Sequence, residues 1–426
     1  MIRKPLIGAA VAVLVVAAAA SAVALAGRGP HLSARDRHWR QDVAYLAREL
    51  PQAHIHGLTG VSQRAWNAAA HQLERQVPRL SDGQVVVGMA RIVAMLHDDE
   101  TQLLLPRMPI YPFEARWIGA GVYFIGVPTA DRELLGARLL AVDGRPIRKV
   151  IAALRGVIDY QDPGEARAIE VARALGSSQP GYINDAALMH WLGVTRSVTA
   201  ATFTVRTARG KLRSVKMTAV SSRGPSLPQM AHVPTPLYRQ RASDPYWLRI
   251  LAGQKVVYLK YNSCLSDHGF QRLAKQALAV LRTHPAYRLV IDLRDNAGGD
   301  SRPFQALVKG ILAGKTIDRR GRIFGLINEL TASSASEDAY DLGSGTNALL
   351  IGQPVEDPID EFGNDNRILR MPHSGVPVVV TTAVINPGKI RFGIPDIRVA
   401  PTLADWLTGR DPVLSTALAY GRKAPG

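Results

Sequence analysis

The sequence predicts an α/β protein, and three observations predict it. From Leu248 onward, short apolar runs suited to strands alternate with amphipathic helical stretches. Ahead of His97, apolar residues recur at three and four spacing, as in Val86, Met89, Ile92 and Val93. Between these regions lie β-rich runs punctuated by turn residues. Strands alternating with helices argue for a largely parallel sheet covered on both faces, with its sites where strands end.

The chain begins with MIRKPLIGAAVAVLVVAAAASAVALAG, which reads as an export signal over 1–26: Arg3 and Lys4, an apolar run, then Ala24-Leu25-Ala26 before Gly27. The run approaches the roughly 20 residues that span a bilayer, so an uncleaved anchor is the alternative. Either reading places the remainder outside the cytoplasm, periplasmic or secreted. A helical cap follows over 33–104, broken at Pro51 and at Gly57–Gly60. His54 and His56 sit in that break, and two histidines without further ligands read as surface residues. Residues 105–220 form a mixed, β-rich region. Ala115–Val127 and Gly136–Ile147 are strand-like, Asp143-Gly144 marks a hairpin, and Asp162–Leu192 is helical. Val198–Val205 then pairs with Leu212–Ala219. Four prolines in Ser221–Ala242 mark 221–247 as a linker. The α/β region, 248–426, alternates strand and helix. Its strands are Val256–Lys260, Arg288–Leu293, Ile323–Asn328, Ala348–Ile351 and Val378–Thr382; its helices are Phe270–Arg282, Pro303–Leu312 and Ser334–Leu342, with a terminal helix that includes Val413–Leu418.

A formal charge of +17, from 52 basic and 35 acidic side chains, favours anionic neighbours such as cell-surface polymers or lipid headgroups. The export segment, the lack of zinc-ligand spacing and an aromatic content of only 6% argue against nucleic acid as a partner. The basic cluster Arg206, Arg209, Lys211, Arg213 and Lys216 reads as the solvated face of a hairpin. The single cysteine, Cys264, cannot form an internal disulfide.

Chemistry concentrates in GLINELTASSASEDAY, Gly325–Tyr340. A strand that turns sharply into a helix sets the residue at the bend before the helix's exposed N–H groups. A serine there can attack a carbonyl while amides hold the oxyanion. The same letters also fit a capping box, with Ser334 as N-cap and Glu337 reaching back. In LVIDLRDNAGGD, Leu289–Asp300, a buried strand ends in Gly298-Gly299, whose backbone N–H groups are free of side-chain obstruction.

Four segments in order resemble the tail-specific (C-terminal processing) serine protease family: DDET at Asp98–Thr101, DLRDNAGG at Asp292–Gly299, NELTASSASE at Asn328–Glu337 and GIPDIRVAPT at Gly393–Thr402. GARLLAVDGRPI, Gly136–Ile147, is similar to the PDZ-like segment many members carry. The resemblance implies a crotonase-like (ClpP-type) core behind the helical cap, an extracytoplasmic peptidase acting on protein or peptide substrates, and no cofactor or metal. By motif, Ser334 matches the nucleophile, and the amides of Ala335 and of Gly298 or Gly299 match the oxyanion hole. Ser333 competes with Ser334, because TASSASE carries one residue more than the family spacing.

The chain departs from the family at the general base. One branch uses a lysine beyond the serine, and 352–366 contains none. Another uses the histidine of D-x-H-T, where this chain has Glu100, and His97 stands three residues earlier. A glutamate near its ordinary pKa of about 4.3 is a weak base for a hydroxyl. The sequence therefore supports two readings: an exported serine peptidase, or a catalytically impaired peptide-binding scaffold at the cell envelope. An esterase or amidase on the same core is a weaker third.

Overall fold

A computed structural model describes residues 32–98, 100–105, 109–158, 181–221, 228–355, 361–363, 367–385 and 395–421. The predicted export segment lies outside them, as does most of the predicted helix Asp162–Leu192. No helix among the described residues is long and apolar enough to cross a membrane.

Three helices open the chain: α1 (Ala34–Ala53), α2 (Gln63–Gln76) and α3 (Asp82–Val93). Each starts where a serine accepts a backbone N–H: Ser33, Ser62 and Ser81, the last in a full capping box with Gln84. Their apolar stripes (Leu46, Leu50, Trp66, Val86, Met89) bury into one core shared with the first large sheet.

That sheet is antiparallel and begins after β1 (Gln102–Leu103). It runs β2 (Glu114–Ile118), β3 (Gly121–Pro128), β4 (Arg138–Val142), with β5 (Arg145–Pro146) returning on β4. Asp143 and Gly144, both at positive φ, make the predicted tight turn between them. Helices α4 (Ile147–Arg155) and α5 (Ala186–Trp191) precede the strand pair β6 (Ala200–Arg206) and β7 (Leu212–Thr218). The five basic residues of this hairpin are exposed, as expected of a solvated face. The stretch read as a linker contributes β8 (Met230–His232), which pairs with β3 through Gly126–Pro128.

The second large sheet carries β9 (Tyr246–Leu251), β10 (Val256–Tyr261), β11 (Arg288–Asp292), β12 (Ile323–Ile327), β13 (Leu349–Gly352) and, far along the chain, β18 (Ile397–Arg398), in the order β18-β13-β12-β11-β10-β9. All neighbours are parallel except β9, which runs antiparallel at the edge. Side chains alternate between two cores, Val257 and Leu259 on one face, Val256 and Tyr258 on the other. Helices α6 (Gly269–Thr283), α7 (Arg302–Leu312) and α8 (Ser334–Gly345) cover the first face, with Phe270, Phe304 and Leu342 in its core. The short helix α9 (Leu403–Thr408) leads to α10 (Pro412–Ala419), whose Val413, Leu414 and Ala417 cover the second. This is the doubly covered parallel sheet that the alternation predicts.

One strand lies elsewhere. Pro377–Val379 does not join the parallel sheet; as β16 it pairs with β1 and with β15 (Ile368–Arg370) in a separate antiparallel sheet. The strands β14 (Glu361–Gly363) and β17 (Ala383–Ile385) form a further pair. Short apolar runs give no information on their partners, which explains the difference.

Candidate active site

Strand β12, buried at all five residues, ends at Ile327, and helix α8 begins at Ser334. The bend between them falls on Ser333, at φ 51° and ψ −131°, a sparsely populated combination for a residue with a Cβ. Tertiary hydrogen bonds hold this conformation. Thr331 Oγ1 donates to Leu293 O, and the Ala332 N–H donates to Asn296 O at 2.9 Å, so the turn is tied to the loop leaving β11. Asn328 Nδ2 donates to Asp295 Oδ1 at 2.8 Å, and the Asp295 N–H returns to Asn328 Oδ1 at 3.0 Å.

The capping-box alternative is not what forms. The cap position is Ser333, not Ser334, and its side chain makes no capping bond. Glu337 instead sits within reach of Ser301, and burial raises its carboxyl above the usual range.

Across from the bend stands Gly298-Gly299. A Cβ on Gly298 would meet Ser333 Cβ at 2.7 Å and Ser334 N at 2.9 Å, so the two loops are in contact. Gly298 takes φ 90° and Gly299 φ 136°, both favouring glycine. Ser334 Oγ donates to Gly299 O at 2.8 Å, and both serines are half-buried. The serine and glycine motifs, far apart in sequence, are thus brought together.

Amide bookkeeping separates the candidates for an oxyanion hole. The Ala335 N–H donates to Ala332 O at 3.0 Å, and the Gly298 N–H donates to Asn296 Oδ1 at 2.9 Å. Among the described residues the Ser334 and Gly299 N–H groups have no acceptor. Cys264 bridges the Gly299 strand through Gly298 O and the Asp300 N–H. That leaves the amide and carbonyl of Gly299 on the opposite edge, toward Ser334.

The candidate bases lie on the segment joining the helical region to β1. His97 adopts a left-handed conformation at φ 53°, is exposed, and packs its ring where a Cβ on Gly60 would stand. The Glu100 N–H donates to Asp98 Oδ1 at 2.9 Å. His54 is not a surface residue: it is 4% exposed, and its Nε2 lies 2.8 Å from Asp98 Oδ2. Its Nδ1 accepts the His56 N–H at 3.2 Å, which makes Nε2 the protonated nitrogen. Burial works against the Asp98 carboxylate, but bonds from His54, Thr101 and Thr381 outweigh it and hold its pKa below the usual range.

Beneath the site, Lys260 at the end of β10 is fully buried. Its Nζ donates to Arg294 O at 2.5 Å and Asp292 O at 3.2 Å. Burial pulls it down to about 8 despite Asp292 and Asp295. With its protons engaged by carbonyls it fixes the exit of β11. Arg294 forks between Asp292 and Asp411 and stacks 3.8 Å over Tyr238. Lys260 is not among the residues predicted for the site; its one signal in the sequence is a charge closing an otherwise apolar strand. Among the described residues no cluster of three or more His, Cys, Asp and Glu could hold a metal ion.

Two clefts flank the loops, sharing Tyr238 and Asp295. One, of about 410 Å³, is walled by Trp117, Asn328–Leu330 and Trp406; the other, of about 420 Å³, by Leu265, Ala297 and Gly298. Ion pairs from the first sheet reach between them: Glu114 of β2 accepts from Arg239, which lies 3.8 Å from Asp295.

No protein-family model matches this chain, and no curated protein does. Solved structures do match. Mature CPAF aligns with a TM-score of 0.57 over 92% of this chain and 99% of its own, at 15% identity. A serine-to-alanine mutant of CPAF aligns at 0.59 over 92% and 100%, at 14% identity. The fold is that of CPAF. CPAF complexed with lactacystin gives 0.58, over 91% of this chain and 98% of its own, at 14% identity. The CPAF likeness supplies the mixed α/β architecture with its several sheets and leading helices, and it is consistent with the tail-specific protease resemblance.

Proposed function

We propose that this chain is a serine peptidase of the tail-specific type, hydrolysing peptide bonds in protein or peptide substrates. The observation that carries the reading is the strained serine at the β12–α8 bend, packed against the Gly298-Gly299 loop, with the Ser334 and Gly299 amides beside it lacking acceptors among the described residues. Geometry favours Ser333 as the nucleophile over the motif-matched Ser334. Ser333 Oγ attacks the scissile carbonyl, and the carbonyl oxygen becomes an oxyanion between the Ser334 and Gly299 N–H groups. The hydroxyl proton passes to a base and then to the departing amine, and water releases the acyl group. Glu100, at the motif position, and His97 are the proposed bases. Without one the rate falls by about 10²–10⁴.

In this reading the parallel sheet and its helices are a crotonase-like core. The sheet containing Gly136–Ile147 is PDZ-like, and 1–26 directs the chain out of the cytoplasm, as a cleaved signal or as an anchor. The excess of basic side chains suits an anionic envelope surface.

A fluorophosphonate probe tests the proposal. Folded wild-type protein is expected to label, Ser333→Ala to abolish labelling, and Ser334→Ala to lower its rate by about tenfold at most, the loss of one hydrogen bond. The reverse pattern restores Ser334 as nucleophile. No labelling of folded wild-type protein refutes the peptidase and leaves the peptide-binding scaffold. Lactacystin, which CPAF carries in one structure, is a second probe of the same cleft.

A further inference from the structure

A polar cluster lies sealed beneath the glycine loop. Helix α8 starts at the bend, and its buried stripe is apolar at Ala335, Ala339 and Leu342. Asp338 interrupts that stripe at 0% exposure, one turn beyond Ser334. Its Oδ2 lies 3.4 Å from Cys264 Sγ, and its Oδ1 has no partner among the described residues. The Cys264 thiol is itself 3.5 Å from Asn296 Nδ2. From there two links run to the glycines. Asn296 Oδ1 accepts the Gly298 N–H at 2.9 Å, and the Cys264 backbone clasps Gly298 O at 3.1 Å and the Asp300 N–H at 2.8 Å. A Cβ on Gly299 would come within 2.1 Å of Cys264 O, so the clasp is tight.

We infer that Asp338 and Cys264 form an internal brace that holds the Gly298-Gly299 loop at a fixed distance from the bend carrying the serines. Asp338 is a positioning residue, acting through Cys264 and Asn296; it touches no substrate. The assignment of a catalytic consequence rests on the peptidase reading. The brace itself rests on the contacts alone. A buried acid with one oxygen lacking a partner among the described residues weakens a fold, so its presence is better explained by what it orients. Burial drives its carboxyl well above the usual range and so favours the uncharged acid. Asparagine reproduces that neutral shape and alanine removes it.

The test reads amide hydrogen exchange in the full chain, over peptides spanning 261–266 and 296–301. Asp338→Ala is expected to speed exchange at the Cys264 and Asp300 amides by about tenfold or more, with the β11 and β12 amides unchanged. Asp338→Asn is expected to stay within about twofold of wild type. Unchanged loop exchange in folded Asp338→Ala overturns the brace, and so does loosening spread evenly over the sheet. If Asp338→Ala does not fold, Cys264→Ala cuts the same link and is read the same way. Fluorophosphonate labelling is measured in parallel. Its rate should fall about 10²-fold in Asp338→Ala and recover in Asp338→Asn, the size expected for a displaced oxyanion donor. A wild-type protein that never labels sinks the peptidase reading, while the exchange pattern still decides the brace.

Discussion

Replacing Gly298 by alanine tests whether the glycine loop and the bend form one catalytic unit. The new Cβ would stand 2.7 Å from Ser333 Cβ, 2.9 Å from Ala332 O and 2.9 Å from Ser334 N. Two of these three neighbours are backbone atoms, and the third is a Cβ fixed to the backbone, so no flexible side chain can swing aside. At φ 90° the alanine also pays about 1–2 kcal/mol for a left-handed backbone. Overpacking adds about 1–3 kcal/mol, for a sum of about 2–5 kcal/mol. The softer response is for the loop to withdraw, taking the Gly299 N–H with it, and loss of one oxyanion donor lowers turnover by about 10²–10³. Gly144→Ala is the control, since Gly144 has a similar φ of 79° and nothing within 4 Å of its absent Cβ. Thermal melting and the rate of fluorophosphonate labelling are measured on both variants. Gly144→Ala should show only the backbone strain and label normally. If Gly298→Ala melts and labels as Gly144→Ala does, the loop and the bend are not mechanically joined and the oxyanion assignment fails.

Three further outcomes are expected. Arg294→Met strips Asp292 and Asp411 of their shared partner and should cost about 3–5 kcal/mol in denaturant unfolding; a loss below about 1 kcal/mol would mean the pairs contribute little. Lys260, whose pKa falls from an ordinary 10.5 to about 8, binds fewer protons folded than unfolded between those values, so its contribution to stability rises with pH across that window. The gap in stability between wild type and Lys260→Met should shift in favour of wild type by about 3 kcal/mol from pH 7 to 10.5, and a flat difference refutes the buried cation. His54→Ala removes a bond that helps hold the Asp98 carboxyl low. The contribution of a depressed carboxyl is present above its unfolded pKa and lost as pH falls through the folded one. The acid unfolding midpoint should therefore move upward in circular dichroism, and an unmoved midpoint would count against the pairing.

Much of the architecture is written in periodicity. The buried runs Val256–Lys260 and Ile323–Ile327 and the amphipathic stripe of Phe270–Arg282 each carry their own signal, because core burial selects residues one by one. Pairing does not. Nothing in Pro377–Val379 says that its partners are Gln102-Leu103 and Ile368–Arg370 rather than the parallel sheet. The site shows the same division. The glycine pair and the serine run are visible as letters, but which serine occupies the bend depends on where helix α8 starts, and SSASE permits either register. The strain at Ser333 is a property of two dihedral angles with no letter of its own. Nothing in the letters marks Asp338 as buried, because sequence shows a residue's type and not the face it is turned to.

The polar residues missed in the sequence share a location, and that location has a physical cause. Lys260, Asp292 and Arg294 gather where β10 and β11 end, and Asn296 and Asp338 lie behind the loops that follow. Apolar packing fixes a strand but is non-directional, and it cannot hold a glycine loop at one distance from a serine. Hydrogen bonds can, because they are directional. Lys260 Nζ draws in the carbonyls of Asp292 and Arg294, Asn296 captures the Gly298 N–H, and Arg294 ties the same loop to Asp411 at the start of α10. Buried charges are a weak route to stability, so their concentration under this one edge of the sheet is better understood as a device for placement. The Gly298 and Arg294 variants separate the two roles. A brace for the loop lowers labelling more than its effect on melting accounts for, and a purely structural cluster lowers both in step.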